Sequence, residues 1–215
     1  MLELEKLSAF YGQAQALFDV SLRVSAGEMV VLQGLNGAGK STLLKALMGL
    51  EVRTKGRIFY QSPLGAGYIE RWETHRRARA GLGYVAEDRR LFTELTVREN
   101  LHVAAGHDAG AQEAKALDLF PMLKTLLNRP AANMSGGQQQ MLAIARTLMT
   151  KPKILLLDEP CEGIAPVLVE SIRDALLALR QGGMALLVVE QNRLLASRAD
   201  RLLTLVAGKV SDSGK

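Results

Sequence analysis

The apolar positions of the chain form short unbroken runs that alternate with longer segments of helical spacing. Residues 29–32, 154–157 and 184–190 are apolar at nearly every position, which is typical of parallel strands buried on both faces. Residues 40–50 and 166–179 follow two of these runs and are typical of helices that cover such a sheet. Because strands and helices alternate, the pattern predicts an α/β fold with a parallel sheet.

The N-terminal part of the chain has a different pattern. Residues 2–7 and 16–24 have the composition of strands, and the turn between them includes Tyr11. Residues 56–61 and 83–85 add short strands around a Gly/Pro-rich loop. We therefore expect an N-terminal antiparallel β layer beside the parallel sheet.

The pattern turns helical between residues 88 and 150. Helical spacing is found over 96–104, 111–119, 121–127 and 138–149, with breaks at Gly106, Gly110 and Pro130. With 215 residues and 48% hydrophobic content, the chain can bury a sizeable core. We expect one domain over 1–215, with 1–87 and 151–215 as its core and 88–150 as an inserted α-helical subdomain.

The sequence lacks the features expected of a membrane span, a signal peptide or a disulfide framework. The apolar runs are too short to span a bilayer, and residues 1–6 lack the layout of a signal peptide. We therefore expect the protein in the cytoplasm. The single cysteine, Cys161, excludes an internal disulfide framework. A reactive thiol is the alternative for Cys161, but a small residue filling a turn is favoured, since no base lies nearby in sequence.

The net charge of +5 raises the question of an anionic partner. The densest basic stretch covers residues 71–79, around Trp72. A solvated helix face is the favoured interpretation, and contact with anionic lipid headgroups is the alternative. The chain has no helix-turn-helix, zinc-finger or RNA-binding signature, so no nucleic-acid partner is expected.

A glycine-rich motif follows the first apolar run and precedes a helical segment, as a phosphate-binding P-loop requires. Glycines allow successive backbone N–H groups to face a phosphate, the lysine adds a charge, and the serine hydroxyl can hold Mg²⁺. The residues expected to bind the nucleotide triphosphate are Gly34, Asn36, Gly37, Ala38, Gly39, Lys40, Ser41 and Thr42.

Two carboxylates follow the apolar run 154–157. Asp158 and Glu159 come at the carboxyl end of this predicted strand, which is the edge where an open α/β sheet places its site. Asp158 is a candidate ligand of Mg²⁺, and Glu159 is placed to polarise the attacking water. A solvated strand end is the alternative interpretation of this acidic pair.

A third motif discriminates among P-loop proteins. Ser135, Gly136, Gly137 and Gln138 precede a predicted helix and lie between the P-loop and Asp158. In this order and spacing, the three motifs resemble the ATP-binding cassette (ABC) family over nearly the whole chain. The family signature is Leu-Ser-Gly-Gly-Gln, and Met134 replaces its leucine here.

The resemblance implies a P-loop NTPase (RecA-like) core, ATP and Mg²⁺ as ligands, and ATP hydrolysis. In this family the signature closes over the γ-phosphate held by a second ATPase subunit, so one chain is expected to be half of a site. The resemblance further implies transmembrane permease subunits, an associated solute-binding protein, and a peripheral location on the cytoplasmic face of the bacterial inner membrane.

Three more site residues are implied by the resemblance. Tyr11 occupies the position of an aromatic ring that stacks on adenine, although a plain β-layer aromatic is the alternative. Glu87 replaces the usual glutamine, and is expected to contact Mg²⁺ or the attacking water. Gln191 replaces the usual histidine near the γ-phosphate, and retains a hydrogen-bond donor without a cationic form. The replacements at Glu87 and Gln191 leave open the alternative of a regulatory protein that binds ATP with little turnover.

The same departures resemble the ATPase subunits of branched-chain amino acid importers, which favours uptake of branched-chain or related amino acids. Residues 162–164 and 138–140 resemble the urea-type subunits, so a urea or amide importer is the alternative. A soluble ABC-type regulatory ATPase and a P-loop kinase are further alternatives. Leu91, Phe92 and Leu95 are candidates for a groove that receives a permease helix, with core packing as the alternative for both leucines.

Overall fold

The computed structural model describes residues 1–62, 65–105 and 108–212, and the account below covers these residues. Strands are formed by Leu2–Tyr11 (β1), Ala14–Val24 (β2), Met29–Gln33 (β3), Arg53–Ser62 (β4), Gly65–Tyr68 (β5), Leu82–Val85 (β6), Ile154–Asp158 (β7), Ala185–Val189 (β8), Arg201–Val206 (β9) and Lys209–Asp212 (β10). Helices are formed by Lys40–Met48 (α1), Thr74–Arg79 (α2), Val97–Ala104 (α3), Ala109–Leu119 (α4), Gly136–Leu148 (α5), Pro166–Gln181 (α6) and Arg193–Ala196 (α7).

The central sheet has the strand order β10-β9-β3-β8-β7-β6. Neighbours from β9 to β6 are parallel, and β10 pairs antiparallel with β9. All residues of β7 and β8 are buried, which explains why these strands are almost wholly apolar. The strand order brings the carboxyl ends of β3 and β7 to the same edge, with β8 between them.

A second sheet has the order β2-β1-β4-β5, and its paired strands are antiparallel. Leu2 lies opposite Val24 on one side and Tyr60 on the other, so apolar side chains of three strands share one face. Together with α1, that face forms an apolar core against the central sheet. The predicted N-terminal antiparallel layer is confirmed.

The segment between β6 and β7 is helical. It contains α3, α4, α5 and two 3₁₀ turns, Pro121–Leu126 and Ala131–Asn133. The first turn of α3 is closed by a capping box between Thr96 and Glu99. The apolar residues of this segment and the other face of the central sheet form a second core. The division into a core and an inserted subdomain at residues 88 and 150 stays a prediction.

The structure has the predicted helices and strands except where the sequence pattern is weak. Residues 121–126 form a 3₁₀ turn rather than an α-helix, and β5 and β10 were not predicted. Both strands have only four residues and pair with the preceding strand in a hairpin, so pairing rather than composition defines them. The predicted break at Gly106 and part of the Gly/Pro-rich loop, 63–64, lie outside the described residues.

The basic stretch at 71–79 contains one residue that the sequence interpretation placed wrongly. Arg76 and Arg79 are exposed, as expected for a solvated helix face. Arg77 is 2% exposed, and its guanidinium donates to four backbone carbonyls. Two of these acceptors, Ala46 and Leu47, lie in the last turn of α1, where carbonyls lack helical partners. Arg77 therefore closes the C-terminal end of the helix that follows the P-loop.

Across the described part of the chain, no helix combines the length and apolarity needed to cross a bilayer.

Candidate functional site

The loop between β3 and α1 requires its glycines. A Cβ atom on Gly34 would lie 2.4 Å from the carbonyl oxygen of Leu205, a distance that a side chain cannot occupy. Gly37 and Gly39 have φ values of 81° and 106°, in the region that favours glycine. The helix begins at Lys40, directly after Gly39. The loop therefore turns back on itself and presents the N-terminus of α1, as predicted for a phosphate-binding loop.

Lys40 is buried, and its charge is balanced within the chain. The Nζ atom donates to the carbonyls of Gly34 at 2.9 Å and Leu35 at 3.3 Å. It also lies 3.0 Å from the Oε1 atom of Glu159. The lysine predicted to neutralise a phosphate thus forms an ion pair with the carboxylate predicted to activate water.

Ser41 and Asp158 lie together, although they come from α1 and β7. The Ser41 hydroxyl donates to Oδ1 of Asp158 at 3.0 Å, and the Tyr84 hydroxyl donates to Oδ2 at 3.3 Å. Burial raises the pKa of Asp158 above its ordinary value, while these two hydrogen bonds oppose the rise. Burial and the neighbouring Asp158 also raise the pKa of Tyr84. Hydroxyl and carboxylate oxygens are the donors that Mg²⁺ prefers.

Glu159 stands in an unusual backbone conformation, with a φ of 45°. Its N–H donates to the carbonyl of Val189 on the neighbouring strand at 2.9 Å. Glu162 lines the same cleft as Glu159, and a hydrogen bond with Glu159 and the charge of Glu159 raise the pKa of Glu162. Glu87 is exposed and faces the same space. Several carboxylates therefore lie beside the P-loop.

These groups line one cleft of about 710 Å³. The predicted site residues on its wall are Tyr11, Asn36, Gly37, Gly39, Lys40, Ser41, Thr42, Glu87 and Glu159. Tyr11 is 42% exposed, and its hydroxyl lies 3.5 Å from that of Thr42, so the side chain is accessible beside the P-loop. Gly34 and Ala38 line a neighbouring groove, and Asp158 lines another groove together with Ser41 and Glu87.

Gln191 lies on the other side of the P-loop. Its Nε2 atom donates to Oδ1 of Asn36 at 3.0 Å. The side chain borders a neighbouring groove of about 650 Å³ rather than the cleft that contains Lys40. Gln191 is therefore next to the P-loop, as predicted, but reaches it through Asn36.

The Ser135–Gln138 motif lies away from the P-loop, at the start of α5. Ser135 caps α5 by accepting from the N–H of Gln138, whose side chain accepts from the N–H of Ser135. A Cβ atom on Gly137 would lie 2.4 Å from a methyl carbon of Leu168, so the helix start packs closely on α6. Within the described ranges, residues 135–138 contribute nothing to the cleft wall.

Two residues near the site were missed at the level of sequence. Arg89 follows the Glu87 loop and donates to the side chains of Gln139 and Gln140, which ties this loop to α5. Glu190 is buried and accepts three backbone N–H groups near the cleft. For Glu190, the signal was a carboxylate at the end of a wholly apolar run, at the site edge of the sheet.

Comparison with known sequences gives a family match and close relatives. The family described as ABC transporter matches residues 17–162. The chain is 44% identical to the high-affinity branched-chain amino acid transport ATP-binding protein BraG of Pseudomonas aeruginosa, over 98% of this chain and 91% of the relative. It is 38% identical to the probable branched-chain amino acid transport ATP-binding protein LivF of Archaeoglobus fulgidus, over 100% and 92%.

Comparison with solved structures gives the same fold. A nucleotide-free ATP-binding cassette from an ABC transporter superposes with a TM-score of 0.86 at 27% identity, over 98% of this chain and 89% of that one. The ADP conformation of an ATP-binding cassette gives a TM-score of 0.83 at 28% identity, with the same coverage of 98% and 89%. The predicted fold class is confirmed.

Proposed function

This chain belongs to the ABC transporter family, and from that premise we propose that it is the ATP-hydrolysing subunit of an importer for branched-chain or related amino acids. The observation that carries the proposal is the cleft that joins the P-loop, Lys40 and Glu159, with Asp158 hydrogen-bonded to Ser41 next to it. A triphosphate placed there meets backbone N–H groups, the N-terminus of α1 and a lysine charge.

The donor set beside the P-loop fits Mg²⁺. Ser41 and Asp158 would hold the ion, since their oxygens lie 3.0 Å apart and Mg²⁺ with phosphates takes few protein ligands. Glu87 also borders this space and is the third candidate ligand. When bound, the ion neutralises charge on the phosphate oxygens.

The remaining residues have separable roles in hydrolysis. Lys40 neutralises the phosphates, and Glu159 accepts a proton from the attacking water. Gln191 donates a hydrogen bond beside Asn36, and Tyr11 offers a ring face to adenine. Glu87 orients the water or the metal ligands from the opposite side of the cleft.

The proposed functional unit contains two ATPase chains, identical or related. The start of α5, at residues 135–138, is exposed or partly exposed at Ser135, Gly136 and Gln138 and lies outside this chain's own cleft. A capped helix N-terminus of this kind suits the γ-phosphate held by a second chain. We place the pair against transmembrane permease subunits at the cytoplasmic face of the bacterial inner membrane, with a solute-binding protein outside.

The first test is the dependence of ATP turnover on protein concentration. If the site is completed by a second chain, turnover per chain rises with concentration, or on addition of a related ATPase chain, and then saturates. The measurement is phosphate release across a concentration series with Mg-ATP. Turnover per chain that is independent of concentration in a monomer would contradict the two-chain site and favour a kinase-like enzyme.

The second test concerns the cargo. The relatives named as branched-chain amino acid transport proteins support this cargo, whereas residues 162–164 resemble the urea-type subunits. The chain is purified from membranes with its attached permease subunits and solute-binding protein, and uptake of leucine and of urea is measured in proteoliposomes. ATP-dependent leucine uptake supports the proposal, and urea uptake without leucine uptake would replace its cargo.

A further inference from the structure

A buried carboxylate lies just outside the proposed reaction space. Glu190 follows the last residue of β8 and is 4% exposed. It does not line the cleft that contains Lys40, and no cation balances it among the ion pairs of the described residues. A carboxylate in such a place requires hydrogen bonds to be tolerated.

Three backbone N–H groups supply those hydrogen bonds. Oε2 accepts from the N–H of Cys161 at 2.9 Å. Oε1 accepts from the N–H groups of Gln191 at 2.8 Å and Asn192 at 2.9 Å. The two oxygens therefore bind two different segments, one after β7 and one after β8.

The first segment carries the proposed general base. Glu159 has a positive φ of 45°, a conformation that a non-glycine residue keeps only when its surroundings fix it. Two hydrogen bonds hold this turn against β8: Glu159 N–H to Val189 O, and Cys161 N–H to Glu190. Without the second bond, the turn keeps only the hydrogen bond from the Glu159 N–H to the end of β8.

The second segment carries the amide next to the P-loop. Glu190 fixes the backbone N–H of Gln191, and the Gln191 side chain then donates to Asn36. The N–H of Glu190 itself donates to the carbonyl of Leu32 in β3, the strand that leads into the P-loop. One residue thus connects the ends of three strands.

We propose that Glu190 is a positioning residue that sets Glu159 and Gln191 relative to the P-loop through its two carboxylate oxygens. The inference rests on the proposed ATP hydrolysis and adds a residue to it. A glutamine at this position has one acceptor oxygen, and its NH₂ group would face N–H donors on the other side. One of the two segments would therefore lose its hydrogen bonding to residue 190.

The test compares Glu190→Gln with the control Tyr60→Phe. The control removes a buried hydrogen bond from the Tyr60 hydroxyl to the Ala80 carbonyl, away from the cleft. In Glu190→Gln, kcat for ATP falls about tenfold or more, while the Kd of a fluorescent ATP analogue changes less than about twofold, because geometry rather than phosphate binding is lost. Tyr60→Phe keeps the wild-type kcat. Thermal unfolding of both variants verifies that they are folded.

A second comparison separates positioning from general stability. In the Gln191→Ala background, the effect of Glu190→Gln on kcat is smaller than in the wild type, because part of its action passes through Gln191. Effects that multiply independently would overturn the inference, as would an unchanged kcat in Glu190→Gln. Wild-type protein without any ATP turnover would instead overturn the proposed function, and the inference with it.

Discussion

At the residue scale, Asp158 occupies a place that burial makes unfavourable for a charge. It is 2% exposed and accepts hydrogen bonds from two hydroxyl groups, with no cation bound to it within the described chain. Because burial raises the pKa of Asp158, the folded protein binds a proton at this carboxyl group more tightly than the unfolded chain does. Above the raised pKa, the carboxylate therefore lowers the free energy of unfolding.

Asp158→Asn should stabilise the nucleotide-free protein. The amide keeps the acceptor for Ser41 and removes the buried charge, so the free energy of unfolding at pH 7 rises by about 1 kcal/mol. The gain shrinks as the pH falls through the raised pKa, and vanishes below the ordinary value of an aspartate, because the wild-type group is then protonated in both states. Urea unfolding across a pH series measures this difference.

The control for that measurement is Asp118→Asn, which removes an exposed carboxylate paired with Lys124. Its effect stays within about 0.5 kcal/mol at every pH, since exposed ion pairs contribute little. A less stable Asp158→Asn protein at pH 7 would show that the Asp158 charge is compensated in the folded state.

At the element scale, Arg77 joins α1 to the segment before β6. Its guanidinium donates to the carbonyls of Ala46 and Leu47 in α1 and to those of Glu70 and Trp72. Burial lowers the pKa of Arg77, and backbone oxygens take the place of solvent around its charge. α1 is therefore fixed at the end opposite to the P-loop.

Arg77→Met should lower the free energy of unfolding by about 3 kcal/mol or more, because four carbonyl groups would lose their donor inside the protein. The matched control is Arg76→Met, one residue earlier, where the guanidinium is exposed and lies 4.1 Å from the ring centroid of Trp72. That change costs about 1 kcal/mol or less. Equal effects in urea unfolding of the two variants would contradict the role given to Arg77.

Sequence patterns predicted most of the helices and strands, and the features that they missed share a physical cause. The strands β3, β7 and β8 are buried on both faces, so composition alone identifies them. The short strands β5 and β10 depend on hairpin pairing with β4 and β9, which their own composition does not indicate. The burial of Arg77 likewise depends on α1, which precedes it by some thirty residues.

The same distinction separates the features of the candidate site that the sequence predicts from those that it does not. The P-loop and the carboxylates after β7 were readable because each depends on a local turn or strand end. The ion pair of Lys40 with Glu159, the contacts of Arg89 with α5 and the hydrogen bond from the Cys161 N–H to Glu190 join segments far apart in sequence. Such contacts are set by the strand order β3-β8-β7, which the pattern of apolar runs does not determine.

At the scale of the whole molecule, the predicted ABC family is confirmed by the match over residues 17–162. Within the described residues, the phosphate-binding cleft and the start of α5 do not share a wall. A nucleotide bound by one chain would therefore leave oxygens exposed to a second chain. Assembly and ATP binding are then linked equilibria.

Glu159→Gln should trap that assembly. The glutamine cannot accept the proton of the attacking water, whereas the P-loop and residues 135–138 are unchanged. With Mg-ATP, the variant forms a stable dimer in which phosphate release falls at least about a hundredfold. Size-exclusion chromatography with light scattering measures the dimer, and phosphate release measures turnover.

The control is Glu5→Gln, an exposed carboxylate on β1, which should remain like the wild type in both measurements. Undiminished hydrolysis in Glu159→Gln would remove Glu159 from the role of general base. A variant that neither hydrolyses ATP nor dimerises would place the defect in nucleotide binding instead.

The ion pair between Lys40 and Glu159 has a consequence for the proposed hydrolysis. An incoming γ-phosphate would compete with Glu159 for the amine of Lys40, and the carboxylate would be released beside the phosphate oxygens. Nucleotide binding would then itself free the base that the proposed reaction needs.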